Sequence, residues 1–96
     1  MRSSIVFTAE STKKFATNFR RGDNYNATIQ NLSGQSITIT VTNQDIQGSN
    51  PTFDEPAVGA LVIANGAMGS LSEPYAGWLI TAAAPATGTV EIVEAG

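Results

Sequence analysis

Between Ser36 and Asn43 the apolar residues Ile37, Ile39 and Val41 alternate with Ser36, Thr38, Thr40 and Thr42. A period of two sends one set of side chains to each face of a β-strand. Branched Cβ atoms in both sets fit a pleated surface and disfavour helix. Just upstream, Tyr25, Ala27 and Ile29 alternate with Asn26, Thr28 and Gln30, and Ser33, Gly34 and Gln35 separate the two runs. Gly34 can take positive φ without steric cost, so the pattern predicts a β-hairpin over residues 25–43.

The same alternation recurs along the chain. Ile5 and Phe7 oppose Val6 in a first strand over Ser4 to Thr8. Residues 11–22 fork, because Phe15 and Phe19 are spaced to suit a helix face or a strand face. Ser11 or Thr12 as cap, Arg20 and Arg21 at the far end and Gly22 as stop favour helix. Phe15, Thr17 and Phe19 alternating with Lys14, Ala16 and Asn18 favour strand, the preferred reading, since Thr and Asn are poor helix formers. Gln44 to Val58 holds Pro51 and Pro56 and reads as a long connection or a poor edge strand. Leu61 and Ile63 oppose Val62, and Asn65-Gly66 then signals a tight hairpin turn with a returning strand through Leu71. Beyond a turn at Pro74 to Gly77, Trp78 and Ile80 share one face. After a second turn at Pro85 to Gly88, Val90 and Ile92 face inward and Glu91 and Glu94 outward. Seven or eight short strands with little helix predict an all-β fold, an antiparallel β-sandwich that is jelly-roll-like. Its 96 residues suit a single domain spanning 1–96.

Composition sharpens this picture. Hydrophobic residues make up 42% of the chain, enough for a core, whereas charged residues make up 14%, well below the roughly 25% usual in soluble domains. The outward positions are therefore neutral and polar. The first 21 residues carry five bases and one acid, +4, and the rest carry seven acids and no base, −7. Opposed charge of this kind suits contacts between copies or docking of a basic end on an acidic partner. No apolar run approaches the roughly 20 residues needed to span a bilayer, so a soluble protein made in a cytosol is expected, with no membrane partner.

With neither cysteine nor histidine in the chain, Ser and Cys triads and nitrogen or sulfur zinc sites are excluded. The remaining acids Asp54, Glu55, Glu73, Glu91 and Glu94 form no catalytic motif, so no enzyme activity and no cofactor are expected. Asp45, Asn50, Asp54 and Glu55 offer oxygen ligands in one connection, but their spacing matches no calcium loop, and no metal is expected. Lys13, Lys14, Arg20 and Arg21 interleaved with Phe15 and Phe19 can track phosphates and stack bases; the net charge of −3 argues against nucleic acid. Tyr75 and Trp78 can form a sugar-stacking pair, although a lone tryptophan in a small β-domain more often centres the core. After Lys14 no lysine remains to blunt exposed strand edges, which suits a domain covered by other copies or by a scaffold.

The stretches NATIQNLSGQSITITVTNQDI (26–46) and WLITAAAPATGTVEIVEAG (78–96) resemble the small β-sandwich virion proteins of tailed bacteriophages, which include head decoration or cement proteins and fibre modules. The resemblance implies a homo-oligomer, expected to be a trimer, located in the virion and bound to the major capsid protein. Lys13, Lys14, Arg20 and Arg21 are the expected capsid-docking group, and Phe53, Asp54 and Glu55 the expected contact between copies. The alternative is a carbohydrate- or receptor-binding fibre module that uses Tyr75 and Trp78.

Overall fold

The computed structural model describes residues 2–17, 25–42, 55–72 and 77–95, with the backbone alone at 55–60. The described residues form eight strands and no helix: β1 (Arg2–Val6), β2 (Thr12–Ala16), β3 (Asn26–Leu32), β4 (Ile37–Thr42), β5 (Glu55–Ile63), β6 (Met68–Leu71), β7 (Gly77–Ala82) and β8 (Thr89–Ala95). They assemble into two antiparallel four-stranded sheets, β1-β8-β3-β6 and β2-β7-β4-β5. This is a β-sandwich with the strand order of a jelly roll, in which successive strands alternate between sheets and β4–β5 is the one sequential pair. The fork at residues 11–22 resolves as strand over Thr12–Ala16, and Pro56 lies in β5 at the edge of the second sheet, where a missing amide is tolerated.

The predicted hairpin over 25–43 is not formed. Gly34 has the expected positive φ, +90°, yet β3 pairs with β8 and β6 while β4 pairs with β7 and β5. The turn at 33–36 is an arch that carries the chain from one sheet to the other. Asn65-Gly66 behaves likewise: Gly66 sits at φ +82°, but β5 stays with β4 and β6 crosses to β3. The reason lies at Asn31, which points inward and is fully buried. Its amide nitrogen donates to the carbonyls of Gln35 (2.7 Å) and Ile63 (2.9 Å). Its Oδ1 accepts from the Ser33 amide (3.0 Å) and hydroxyl (2.7 Å), and Asn65 Oδ1 accepts from the Gly34 amide (3.0 Å). The two arches are thus tied to each other, and buried backbone groups that a hairpin would have paired find side-chain partners instead. The 83–88 connection packs against them, with the Gly88 amide donating to Ser33 O (3.2 Å). A Cβ at Gly88 would lie 2.1 Å from Leu32 O, so only glycine fits there.

The inner faces interlock in one core that includes Phe7, Ile29, Val90 and Ile92 from the first sheet side and Phe15, Ile39, Trp78 and Ile80 from the second. Trp78 is wholly buried and its ring is tilted 54° against Phe15 with centroids 5.1 Å apart, an attractive aromatic arrangement. Glu94 departs from the expected outward position. It lies on the inner face of β8 and is 5% exposed, where its Oε2 accepts a hydrogen bond from the Tyr25 hydroxyl. Burial first, then the bond to Glu94, raises the Tyr25 phenol above its ordinary value.

Candidate interaction surface

Five large hydrophobic residues are exposed among the described residues: Val6, Leu32, Val62, Met68 and Val93. Four of them lie on the outer face of the β1-β8-β3-β6 sheet. Strand register fixes their arrangement. Val6, Thr89 and Leu32 stand side by side across β1, β8 and β3. The next row is Ser4, Glu91, Gln30 and Met68, and the one after it Arg2, Val93, Thr28 and Ser70. Met68 is therefore a diagonal neighbour of Leu32, within reach for long side chains. The charges in these rows are Arg2 and Glu91, which face each other at 3.6 Å. A nearly neutral sheet face with aliphatic groups spread over all four strands has the character of a protein contact surface.

The outer face of the second sheet is different. There Thr12, Thr81, Thr38 and Val62 form one row, and Lys14, Leu79 and Thr40 the next. Threonine supplies most of it, and among the described residues Val62 is its one large exposed aliphatic group. Thr40 Oγ1 is buried without a hydrogen-bond partner, as is Trp78 Nε1 in the core.

Of the expected docking group, Lys13 and Lys14 lie among the described residues, and they do not share a face. Lys13 and Lys14 are neighbours on β2 and so point to opposite faces. Lys13 is half-buried and paired to Glu10 at 2.5 Å, while Lys14 is exposed on the outer face. Glu10 also accepts from the Thr8 amide (2.5 Å) and hydroxyl (2.9 Å). The Lys13 ammonium, and after it the Thr8 amide, holds the Glu10 carboxyl down at about 2. Arg20 and Arg21 lie outside the described residues, as do Phe53, Asp54, Tyr75, Asp45 and Asn50; Glu55 opens β5 as backbone. Trp78, being fully buried, presents no face to a sugar. Arg2, from the basic stretch of the sequence, sits beside Glu91 from the acidic one.

Sequence reasoning overlooked the aliphatic face. Its signal was present in strands with apolar residues at both parities, Ile5-Val6-Phe7 and Ile92-Val93, where the extra valine must face outward. Among the described residues no group of three or more acidic, histidine or cysteine side chains is placed to hold a metal ion, and no helix is long and apolar enough to cross a membrane. No protein-family model matches the chain, and the searches of curated proteins and of solved structures find no match.

Proposed function

We propose that this chain is a structural virion protein, a capsid decoration or cement protein that works as a homo-oligomer on the outer surface of an assembled capsid. The observation that carries the reading is the outer face of the β1-β8-β3-β6 sheet, where Val6, Leu32, Met68 and Val93 are exposed around a single ion pair. Such a face fits a partner protein surface, and a partner that binds only the assembled lattice shifts the equilibrium toward assembly and slows its opening. Lys14, on the outer face of the other sheet, lies outside this contact. The fibre-module alternative needs Trp78 at the surface, and its burial removes that support.

Co-sedimentation with assembled capsids of tailed bacteriophages provides the test. Deleting residues 1–21 is unsuitable, because it removes β1 and β2 and takes Phe7 and Phe15 out of the core. The double variant Leu32→Lys, Met68→Lys changes outward positions alone. Burying one such side chain contributes about 1.5–3 kcal/mol, so losing both weakens binding by at least about 100-fold. Undiminished binding of a folded double variant refutes the assignment of this face.

A further inference from the structure

The two sheets have four edge strands, and three of them are blunted. β2 carries Lys13 and Lys14, β5 contains Pro56 and faces a register shift between Ile39 and Thr40, and β6 has four residues. β1 has no lysine, proline or bulge, its one charge is Arg2 beside Glu91, and among the described residues no strand pairs with its outer side.

The register shows which of its backbone groups are free. Phe7 N donates to Gly88 O at 2.9 Å, and Phe7 and Gly88 continue the β1–β8 register in which Ile5 opposes Val90 and Ser3 opposes Ile92. In an antiparallel ladder the bonded pairs alternate with unbonded ones. Ser3, Ile5 and Phe7 therefore turn their amides and carbonyls toward β8, and Arg2, Ser4 and Val6 turn theirs toward the open edge. The row stops at the next such residue, because the Thr8 amide is taken by the Glu10 carboxylate and the chain bends at Ala9, where φ is +115°. Three free residues remain, with Ser4 at their centre.

We propose that β1 pairs antiparallel with β1 of a second copy of this chain, about a two-fold axis at Ser4, joining two four-stranded sheets into one of eight strands. In that register Ser4 opposes Ser4, and Arg2 of each copy opposes Val6 of the other, whose exposed side chain the arginine stem can cover. No like charges meet. The same operation at β2 sets Lys14 against Lys14, which disfavours it. The pairing extends the aliphatic outer face continuously across both copies. It is independent of capsid binding, since it is read in solution with no capsid present, and it closes as a dimer rather than the trimer that the resemblance implies.

Sedimentation velocity of the full chain over about 10 µM to 1 mM is the test, with the variant Ser4→Pro alongside. The Ser4 amide bonds to nothing within the monomer sheet, so proline there removes no ladder bond but blocks the added strand. The wild type is expected to pass from monomer to dimer with concentration, and folded Ser4→Pro to associate at least about tenfold more weakly. Should Ser4→Pro fail to fold, Ser4→Lys and Ser4→Glu decide: each alone places like charges on the axis and stays monomeric, and an equimolar mixture recovers the dimer. A wild type that remains monomeric or forms trimers, a folded Ser4→Pro that dimerises like the wild type, or a mixture that associates no better than its components overturns the proposal.

Discussion

The two sheets share a core and the same rule of alternation, yet their outer faces diverge. In β4 the outward positions include Thr38 and Thr40, with Thr42 on the same side but buried, and β7 adds Thr81, so threonine dominates the outer face of the β2-β7-β4-β5 sheet. In β1, β3, β6 and β8 the outward positions include Val6, Leu32, Met68 and Val93. Both faces carry little charge, but aliphatic groups left in water are a standing cost that burial against a partner relieves. The comparison teaches that alternation locates the core side of each strand, while the identity of the outward residues distinguishes a threonine-rich face from an aliphatic one.

That comparison rests on a common interior, and the largest predicted effect tests it. Trp78→Ala, in the second sheet, and Ile29→Ala, in the first, each remove a wholly buried side chain. Losses of about 3–5 and 2–5 kcal/mol are expected, respectively. In each variant chemical denaturation should remain a single transition by far-ultraviolet circular dichroism and by near-ultraviolet signals. A first sheet that survives the loss of Trp78 would separate the sheets into independent units. A smaller contrast lies within one strand. Asn31→Ala removes the side-chain partner of the Ile63 carbonyl and of the Ser33 amide, while the Gln35 carbonyl keeps the Ser33 hydroxyl, at about 2–4 kcal/mol. Gln30→Ala, one residue earlier on the outer face, should change stability by no more than about 0.5 kcal/mol.

Asn31 also marks the limit of what the sequence made legible. Strand positions, facing and the all-β sandwich followed from period-two alternation, and the positive φ at Gly34 and Gly66 from turn chemistry. Pairing did not follow. A glycine turn fixes local dihedrals but not whether the departing strand lies beside the incoming one or crosses the core. The deciding information was an inward asparagine bonded to a residue 32 positions away in the chain, which resembles an ordinary polar residue in one dimension. Glu94 misled for the same reason: a carboxyl reads as outward until its partner Tyr25, 69 positions away, is in place. Lys13 and Lys14, expected side by side in one basic group, part because adjacent strand residues diverge and Lys13 is held by Glu10.

The connection between the sheets at residues 7–11 gives the smallest effect and has a defined sign. Glu10 is bonded to Thr8 and to Lys13 at the start of β2, and its carboxyl is lowered from 4.5 to about 2. A depressed acid stabilises the folded chain above its unfolded value, and that contribution is lost as pH falls through the folded one. The stabilisation is therefore whole above 4.5 and disappears as pH approaches 2. Because the pair is partly exposed, its effect is small and screened by salt. Glu10→Gln should accordingly melt slightly below the wild type at neutral pH and converge with it in acid, by differential scanning calorimetry at low ionic strength. A gap that persists unchanged to acid would mean that Glu10 acts through the shape of the bend at Ala9 rather than through its charge. The two sheets would then be joined by backbone geometry alone at this arch, in contrast to the side-chain tie at Asn31.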